Sequence, residues 1–186
     1  HMATEEWSPV PLLEALKHPL ATLGESKADF REKLAAIEDM VLHGPRPGPG
    51  AAGIKNMLAA AFNRQSRRPD QKLTAEELAA KQADLAAFVD RIEAAGKPFF
   101  DMAAADKPQP FAQYLDAHIR FAEALAAEGK KKGADRIWRG DDGVKAARFL
   151  TQLKDAAARL PDVTGRDYVD VLQGLMRDVT VQPTSR

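Results

Sequence analysis

Apolar residues recur along most of this chain at intervals of three and four positions, the spacing of one face of an α-helix. No segment alternates with period two over a useful length, and "VTVQP" (179–183) is the one candidate for a short strand. The pattern predicts an all-α fold, an irregular bundle of about seven or eight helices. The stripes are Val10, Leu13 and Leu16; Phe30, Leu34, Ile37 and Val41; Ile54, Met57, Leu58, Ala61 and Phe62; Leu78, Leu85, Phe88, Val89 and Ile92; Phe111, Tyr114, Leu115, His118, Ile119, Ala122 and Leu125; Leu150, Leu153, Ala157 and Leu160; and Tyr168, Val171, Leu172, Leu175 and Met176.

Capping residues and helix breakers predict where these helices begin and end. Ser8 before Pro9 is a favourable helix start, and Thr74 with Glu77 forms a capping box for the fourth helix. Gly96 and Pro98 indicate the end of that helix. Thr164 is the expected cap of the last one. The connectors 43–53 and 63–73 are rich in glycine, proline or polar residues, and we expect them to be non-helical and the most flexible.

Composition is that of an ordinary globular domain. Lysine plus arginine and aspartate plus glutamate both number 27, so the formal net charge is zero. No global field therefore draws the chain toward DNA or anionic lipid, and nucleic-acid binding would need a local patch. The chain has no cysteine, which excludes disulfides, thiolate metal sites and cysteine nucleophiles. We expect no cofactor in this chain.

The extent of the chain suggests one domain taken from a longer protein. His1 and Met2 are interpreted as a cloning remnant, and residues 3–186 as a single helical domain. No apolar run approaches the ~20 residues that span a bilayer, and no signal peptide is visible. We therefore expect a cytoplasmic protein without membrane contact. A domain inserted in a host also predicts that the first helix and 179–183 lie close together.

Motifs for catalysis are missing. The sequence has no GxxxxGK[ST], HExxH or GxSxG pattern and no pair of histidines at ligand spacing. His18 and His43 stand alone, and His118 falls within an apolar stripe, where a buried structural histidine is the usual case. The paired carboxylates Glu76-Glu77 and Asp141-Asp142 lie at predicted helix starts, where they favour the helix dipole.

The stretch "RIWRGDDG" (136–143) allows several interpretations. The oxygen-ligand spacing of a calcium loop is absent, and the Arg-Gly-Asp tripeptide alone is weak evidence of adhesion in a chain without a secretory signal. Two basic segments remain as nucleic-acid contacts, with Trp138 as a stacking face. The alternative is a solvated lysine run with Trp138 as a core anchor. In both cases Asp141 and Asp142 are expected to begin a helix. The candidate contacts are Arg64, Arg67, Arg68, Lys72, Lys130, Lys131, Lys132, Arg136, Trp138 and Arg139.

Four stretches in order resemble the AddB subunits of alphaproteobacterial AddAB helicase-nucleases. They are "PLLEALKHPLATLG" (11–24), "LHGPRPGPGAAGI" (42–54), "YLDAHIRFAEALAA" (114–127) and "RIWRGDDGVKAARFLTQL" (136–153). The basic stretches "NRQSRRPDQK" and "EGKKKG" depart from the family's pattern. Together the matching stretches cover much of the chain.

The resemblance implies a helical region similar to the 2B subdomain of superfamily 1 helicases, acting in double-strand break repair and recombination. It implies an AddA-like partner subunit and double-stranded DNA. The ATP site and the nuclease of such a subunit would lie outside this chain, so no catalytic residue is carried over and no enzyme activity is expected here.

Three hypotheses follow for the function. The chain guides duplex DNA or packs against the partner subunit; it is an interaction module without DNA contact, marked by an exposed apolar patch; or it is a small helical enzyme, which would need a deep pocket with convergent polar groups.

Overall fold

A computed structural model of the protein describes residues 7–42, 45–105, 107–157 and 159–177. Within these ranges the chain forms eight α-helices and no strand or sheet, which confirms the all-α prediction. Their bounds are α1 Pro9–Leu16, α2 Lys27–Ile37, α3 Gly50–Ser66, α4 Ala75–Ala104, α5 Phe111–Ala126, α6 Ala134–Ile137, α7 Gly140–Ala157 and α8 Gly165–Arg177.

The long helix α4 organises the bundle, because α3 and α5 both pack along it. The helix α2 lies antiparallel to α4, as two ion pairs show. Lys33 of α2 pairs with Asp84, whereas Glu25, which comes earlier in the chain just before α2, pairs with Arg91, which comes later in α4. Phe30 of α2 meets Phe88 of α4 edge to face, with ring centroids 5.2 Å apart. The predicted stripes supply most of the buried side chains, so helical periodicity located the core correctly.

A second aromatic cluster joins α4, α5 and α8. The Tyr168 ring stacks on Tyr114 at 5.0 Å and contacts Phe111 at 5.1 Å. The Tyr114 hydroxyl donates to the carbonyl oxygen of Met102 at 2.7 Å, so its buried oxygen is satisfied. Because these rings are among the largest fully buried side chains, they hold α8 to the bundle.

Of the three predicted helix caps, those at Thr74 and Thr164 form and the one at Ser8 does not. Thr74 and Glu77 form the capping box: Glu77 N donates to Thr74 Oγ1 at 3.1 Å, and Thr74 N donates to Glu77 Oε2 at 2.7 Å. Thr164 caps α8 by accepting from Asp167 N at 3.3 Å. Ser8 precedes α1, but its side chain makes no capping hydrogen bond. Along α1 the buried residues are Leu12 and Leu16, whereas Val10 is 67% exposed.

The prediction that Gly96 and Pro98 end the fourth helix is wrong. The helix α4 runs through both residues to Ala104. Proline removes the hydrogen bond to the Ala94 carbonyl, but its ring lies on the exposed side of the helix. The next residue, Phe99, is buried against α5 and α8, and continued burial of this apolar face outweighs the lost bond.

Both predicted connectors are shorter than expected. The helix α3 begins at Gly50 and continues to Ser66, so 50–53 and 63–66 are helical. Gly53 lies so close to the Gly48 carbonyl that a side chain would overlap it, which explains a glycine inside a helix. At the other end Arg64 lies in the last turn, where a cation is favoured by the helix dipole.

Two further differences concern helix ends. The helix α2 continues as a π-helical segment, Glu38–Leu42. The helix α7 ends at Ala157, so Leu160 lies beyond it and is 37% exposed. His43 and the predicted strand 179–183, with its expected approach to the first helix, lie outside the described residues. None of the described helices has the length and apolar character needed to cross a bilayer.

Candidate nucleic-acid and partner interfaces

Arg136 forms the centre of a junction between three distant parts of the chain. Its Nη1 donates to the carbonyl oxygen of Leu20 at 3.2 Å, to Thr22 Oγ1 at 2.7 Å and to the carbonyl oxygen of Ala126. Its Nη2 lies 3.3 Å from Glu128 Oε2, and the side chain is only 15% exposed. A guanidinium held by four partners is not free to contact a phosphate, so the structure gives Arg136 a structural role.

The segment before α2 completes this junction. The amides of Thr22 and Leu23 both donate to the Leu125 carbonyl at 2.8 Å, and Gly24 N donates to the Ala127 carbonyl at 2.7 Å. Thr22, which is fully buried, also donates its hydroxyl to the Ala127 carbonyl at 2.6 Å. The orphan carbonyls at the end of α5 are thereby satisfied by a segment more than 100 positions away.

Trp138 directly follows α6 and is partly buried. Its Nε1 donates to Glu123 Oε1 of α5 at 2.7 Å, so one edge of the indole is fixed against the bundle. Gly143 of α7 lies so close to the backbone of Ile137 and Trp138 that a side chain would overlap them. Asp141 and Asp142 lie in the first turn of α7, as predicted. "RIWRGDDG" is therefore first of all a packed helix-to-helix junction.

The lysines Lys130, Lys131 and Lys132 are exposed on a tight turn. Glu128 and Lys131 exchange two backbone hydrogen bonds, of 3.1 and 2.9 Å, and Gly129 takes the left-handed conformation at φ 55°. Gly129 N also donates to the Gly24 carbonyl at 3.0 Å, which fixes the turn to the junction. The turn therefore presents its ammonium groups from a fixed backbone. Arg139 is exposed nearby in sequence, between α6 and α7.

The other basic segment lies at the end of α3 and in the turn that follows. Arg64, Arg67, Arg68 and Lys72 are all exposed. None of these four side chains forms an ion pair with a carboxylate that the structure describes. The same is true of Lys130, Lys131, Lys132 and Arg139. Eight of the ten predicted contact residues thus keep free cationic groups.

The two basic segments do not form one continuous patch. The segment 64–72 lies beside Ala75, where α4 begins. The lysine turn 130–132 is fixed to Gly24, next to Glu25 and its partner Arg91. From Ala75 to Arg91 the helix rises about 24 Å. A wall of carboxylates on α2 lies between the two, and this feature was missed from the sequence. Its signal was the spacing of three between Asp29 and Glu32, which places them on one face of α2, with Glu25 just before the helix.

The described histidines, His18 and His118, each have a local structural setting. His118 Nδ1 lies 3.0 Å from the Tyr168 hydroxyl, its ring stacks on Phe99 at 4.9 Å, and burial lowers its pKa to about 4. His18 is exposed at the end of α1. Within the ranges that the structure describes, no group of three His, Asp or Glu residues is arranged to hold a metal ion.

An apolar surface is exposed where α1 and α8 meet. Val10 is 67%, Leu175 38% and Met176 55% exposed. Pro11 of α1 and Met176 line the same crevice, of about 380 Å³, whose floor includes Phe121 and Tyr168. We call Pro11 and Met176, with Leu175 beside Met176 in sequence, the α1–α8 apolar surface. Surfaces of this kind often mark contact with another protein.

Comparison of the chain with protein-family models, with curated proteins and with solved structures gave no match. The structural evidence on function is therefore the geometry of the molecule, including the four stretches 11–24, 42–54, 114–127 and 136–153 that the sequence analysis singled out. Three of those stretches, 11–24, 114–127 and 136–153, meet in the Arg136 junction. The fourth, 42–54, includes the close approach of Gly53 to Gly48.

Proposed function

We propose that this chain is a non-catalytic helical subdomain of an AddB-like helicase-nuclease subunit, and that it contacts duplex DNA during double-strand break processing. The family resemblance supplies the context. It falls on residues that build the fold, such as Trp138, Gly143 and Gly53, and this is the pattern expected of a shared scaffold without shared active-site chemistry.

The observation that carries the DNA contact is the set of eight exposed cations without ion-pair partners among the described carboxylates. Phosphate oxygens are attracted to such groups, and each contact releases counterions from the DNA. Arg136 and Trp138 leave the proposed contact set because both side chains already bind other parts of the bundle. The remaining residues are Arg64, Arg67, Arg68, Lys72, Lys130, Lys131, Lys132 and Arg139.

The test is fluorescence anisotropy of a labelled forked duplex titrated with the protein at several salt concentrations. We expect binding that weakens steeply with salt. The slope should be smaller for Arg67→Ala/Arg68→Ala and for Lys131→Ala/Lys132→Ala, by about 0.9 for each phosphate that the variant no longer neutralises. The matched control is Lys97→Ala/Lys154→Ala, which removes two lysines already paired with Asp101 and Asp116. No binding at the lowest salt would refute the DNA contact.

The second candidate function is a protein-interaction module, and the α1–α8 apolar surface favours it. In this case the surface packs against an AddA-like partner subunit and the chain makes no DNA contact. Leu175→Glu/Met176→Glu should abolish co-purification with the partner while leaving the anisotropy titration unchanged. If that variant instead lost only DNA binding, the interaction proposal would be wrong.

A further inference from the structure

A groove of about 550 Å³ lies between the antiparallel helices α2 and α4, with residues from the last turns of α3 at one end. Its wall on the α2 side extends from Glu25, just before α2, through α2 to Met40 of the following π-helical segment, which corresponds to about 22 Å at the rise of a helix. The wall is the face of α2 that flanks the buried stripe Phe30, Leu34 and Ile37.

The groove has an acidic half and an apolar half. Glu25, which precedes α2, Asp29 and Glu32 of α2, and Asp84 of α4 line the half near the start of α2. These four carboxylates face only two lysines of the lining, Lys33 and Lys81, and Lys33 is held by Glu25 at 2.8 Å and Asp84 at 3.0 Å. The other half is lined by Ala36, Met40, Phe62 and Leu73.

The acidic half contains an unsatisfied buried atom. Glu25 is 11% exposed, and its Oε1 accepts from Lys33 and Arg91. Its Oε2 is buried and has no hydrogen-bond partner among the described residues. A buried carboxylate oxygen without a donor is costly, but this oxygen is closed to solvent, so the exposed carboxylates of the groove are the ones that a bound molecule can reach. Glu32 is exposed and also makes no ion pair with a described cation.

We propose that this groove binds an amphipathic helix of a partner protein. Lysine or arginine at one end of that helix meets the exposed carboxylates Asp29, Glu32 and Asp84, and apolar side chains at the other end cover Met40, Phe62 and Leu73. The proposal goes beyond the DNA contact and does not depend on it. Charge complementarity identifies the occupant, since the carboxylates repel nucleic acid and attract a basic segment.

The dimensions favour a helix as the bound form. A wall of about 22 Å matches four helical turns, with anchors spaced at three and four residues as in other helix-in-groove complexes. Addition of a strand needs a free sheet edge, and within the described ranges the chain has only isolated bridges. The two halves of the groove also fix the direction in which the partner helix lies.

The experiment is selection of a displayed library of helical peptides, of about 15 residues to match the wall, on the folded protein. We expect the enriched peptides to carry basic residues in one half and apolar residues in the other. Anisotropy with the best enriched peptide should give a Kd about tenfold weaker for Glu32→Arg, because this change adds repulsion at an exposed position. A peptide with its basic residues changed to glutamate should bind Glu32→Arg more tightly than wild type.

The matched control is Asp155→Arg, the same kind of charge reversal on an exposed residue of α7, outside the groove. It should leave the Kd of the enriched peptide unchanged. Failure to enrich any peptide, or equal binding to wild type and Glu32→Arg, would overturn the proposal. Concentration-dependent self-association that Glu32→Arg abolishes would also overturn it, because a second copy of the chain would then be the occupant.

Discussion

The Arg136 guanidinium donates a hydrogen bond to the carbonyl oxygen of Leu20 at 3.2 Å, across 116 positions of sequence. The same side chain reaches Thr22 and Ala126, so Arg136 of α6 connects the segment before α2 to the end of α5. A residue proposed from sequence as a DNA contact thus has a structural role that no local pattern reveals.

Replacing Arg136 by alanine should lower the free energy of unfolding by about 3 kcal/mol, because three acceptors would be deprived of a charged donor in a partly buried site. Urea denaturation followed by circular dichroism measures this. Arg139→Ala is the control, since Arg139 is exposed, and its effect should stay within about 0.5 kcal/mol. Equal effects of the two changes would show that the junction does not stabilise the fold.

Substitution by alanine at two helical glycines should change the stability of the protein in opposite directions. Gly143→Ala should lower the free energy of unfolding by about 2 kcal/mol or more, because the new Cβ would overlap the backbone of Trp138. Gly174→Ala in α8 should stabilise by up to about 1 kcal/mol, since no atom lies within 4 Å of the new methyl group. Thermal unfolding midpoints of the two variants give the signs directly, and a shift of the same sign in both would contradict the packing described for α7.

Pro98 offers a similar test inside α4. Pro98→Ala should stabilise by about 1 kcal/mol, because it restores a hydrogen bond to the Ala94 carbonyl at an exposed position. The gain is partly offset by the greater freedom of the unfolded chain. A lower free energy of unfolding in the variant would mean that the proline fits a bend that α4 needs.

His118 should make stability depend on pH. Burial lowers its pKa to about 4 in the folded protein, while an unfolded histidine titrates near 6.5. The unfolded state therefore binds more protons between these values, so the histidine's contribution is fully present above about pH 6.5 and is lost as the pH falls toward 4. Its size is at most about 3 kcal/mol.

The measurement is the free energy of unfolding of wild type and His118→Phe between pH 4 and 8. The difference between the two should change across the window from 6.5 to 4 and stay constant above pH 7. Carboxylates titrate in both proteins and cancel in this comparison. A constant difference over the whole range would show that protonation of His118 is not linked to folding.

Helical periodicity predicted most of the fold because each stripe reports burial on one face, as the stripe of Phe111, Tyr114 and Leu115 does. It failed at Gly96 and Pro98, where local preference for a helix end was weaker than the burial of Phe99. It also missed the four-residue helix α6, which is too short to show a period.

The candidate interfaces were less predictable than the fold. Exposure of Arg67 and Lys131 could be expected from polar surroundings, and the structure confirms it. The partners of Arg136 and Trp138 lie on distant segments, and only the packed bundle brings them together. The groove on α2 depends on which face of that helix is buried, which the sequence indicates only after the core stripe has been recognised.

The Arg136 junction also has a consequence for the order of folding. The helix pairs α3–α4 and α4–α5 join neighbours along the chain, whereas Thr22 and Leu125 must close a loop of about a hundred residues. Contacts of such long range form after local ones. We therefore expect the segment up to Gly24 to dock last during refolding and to detach first under mild denaturant, exposing the carbonyl end of α5 while the three central helices remain together.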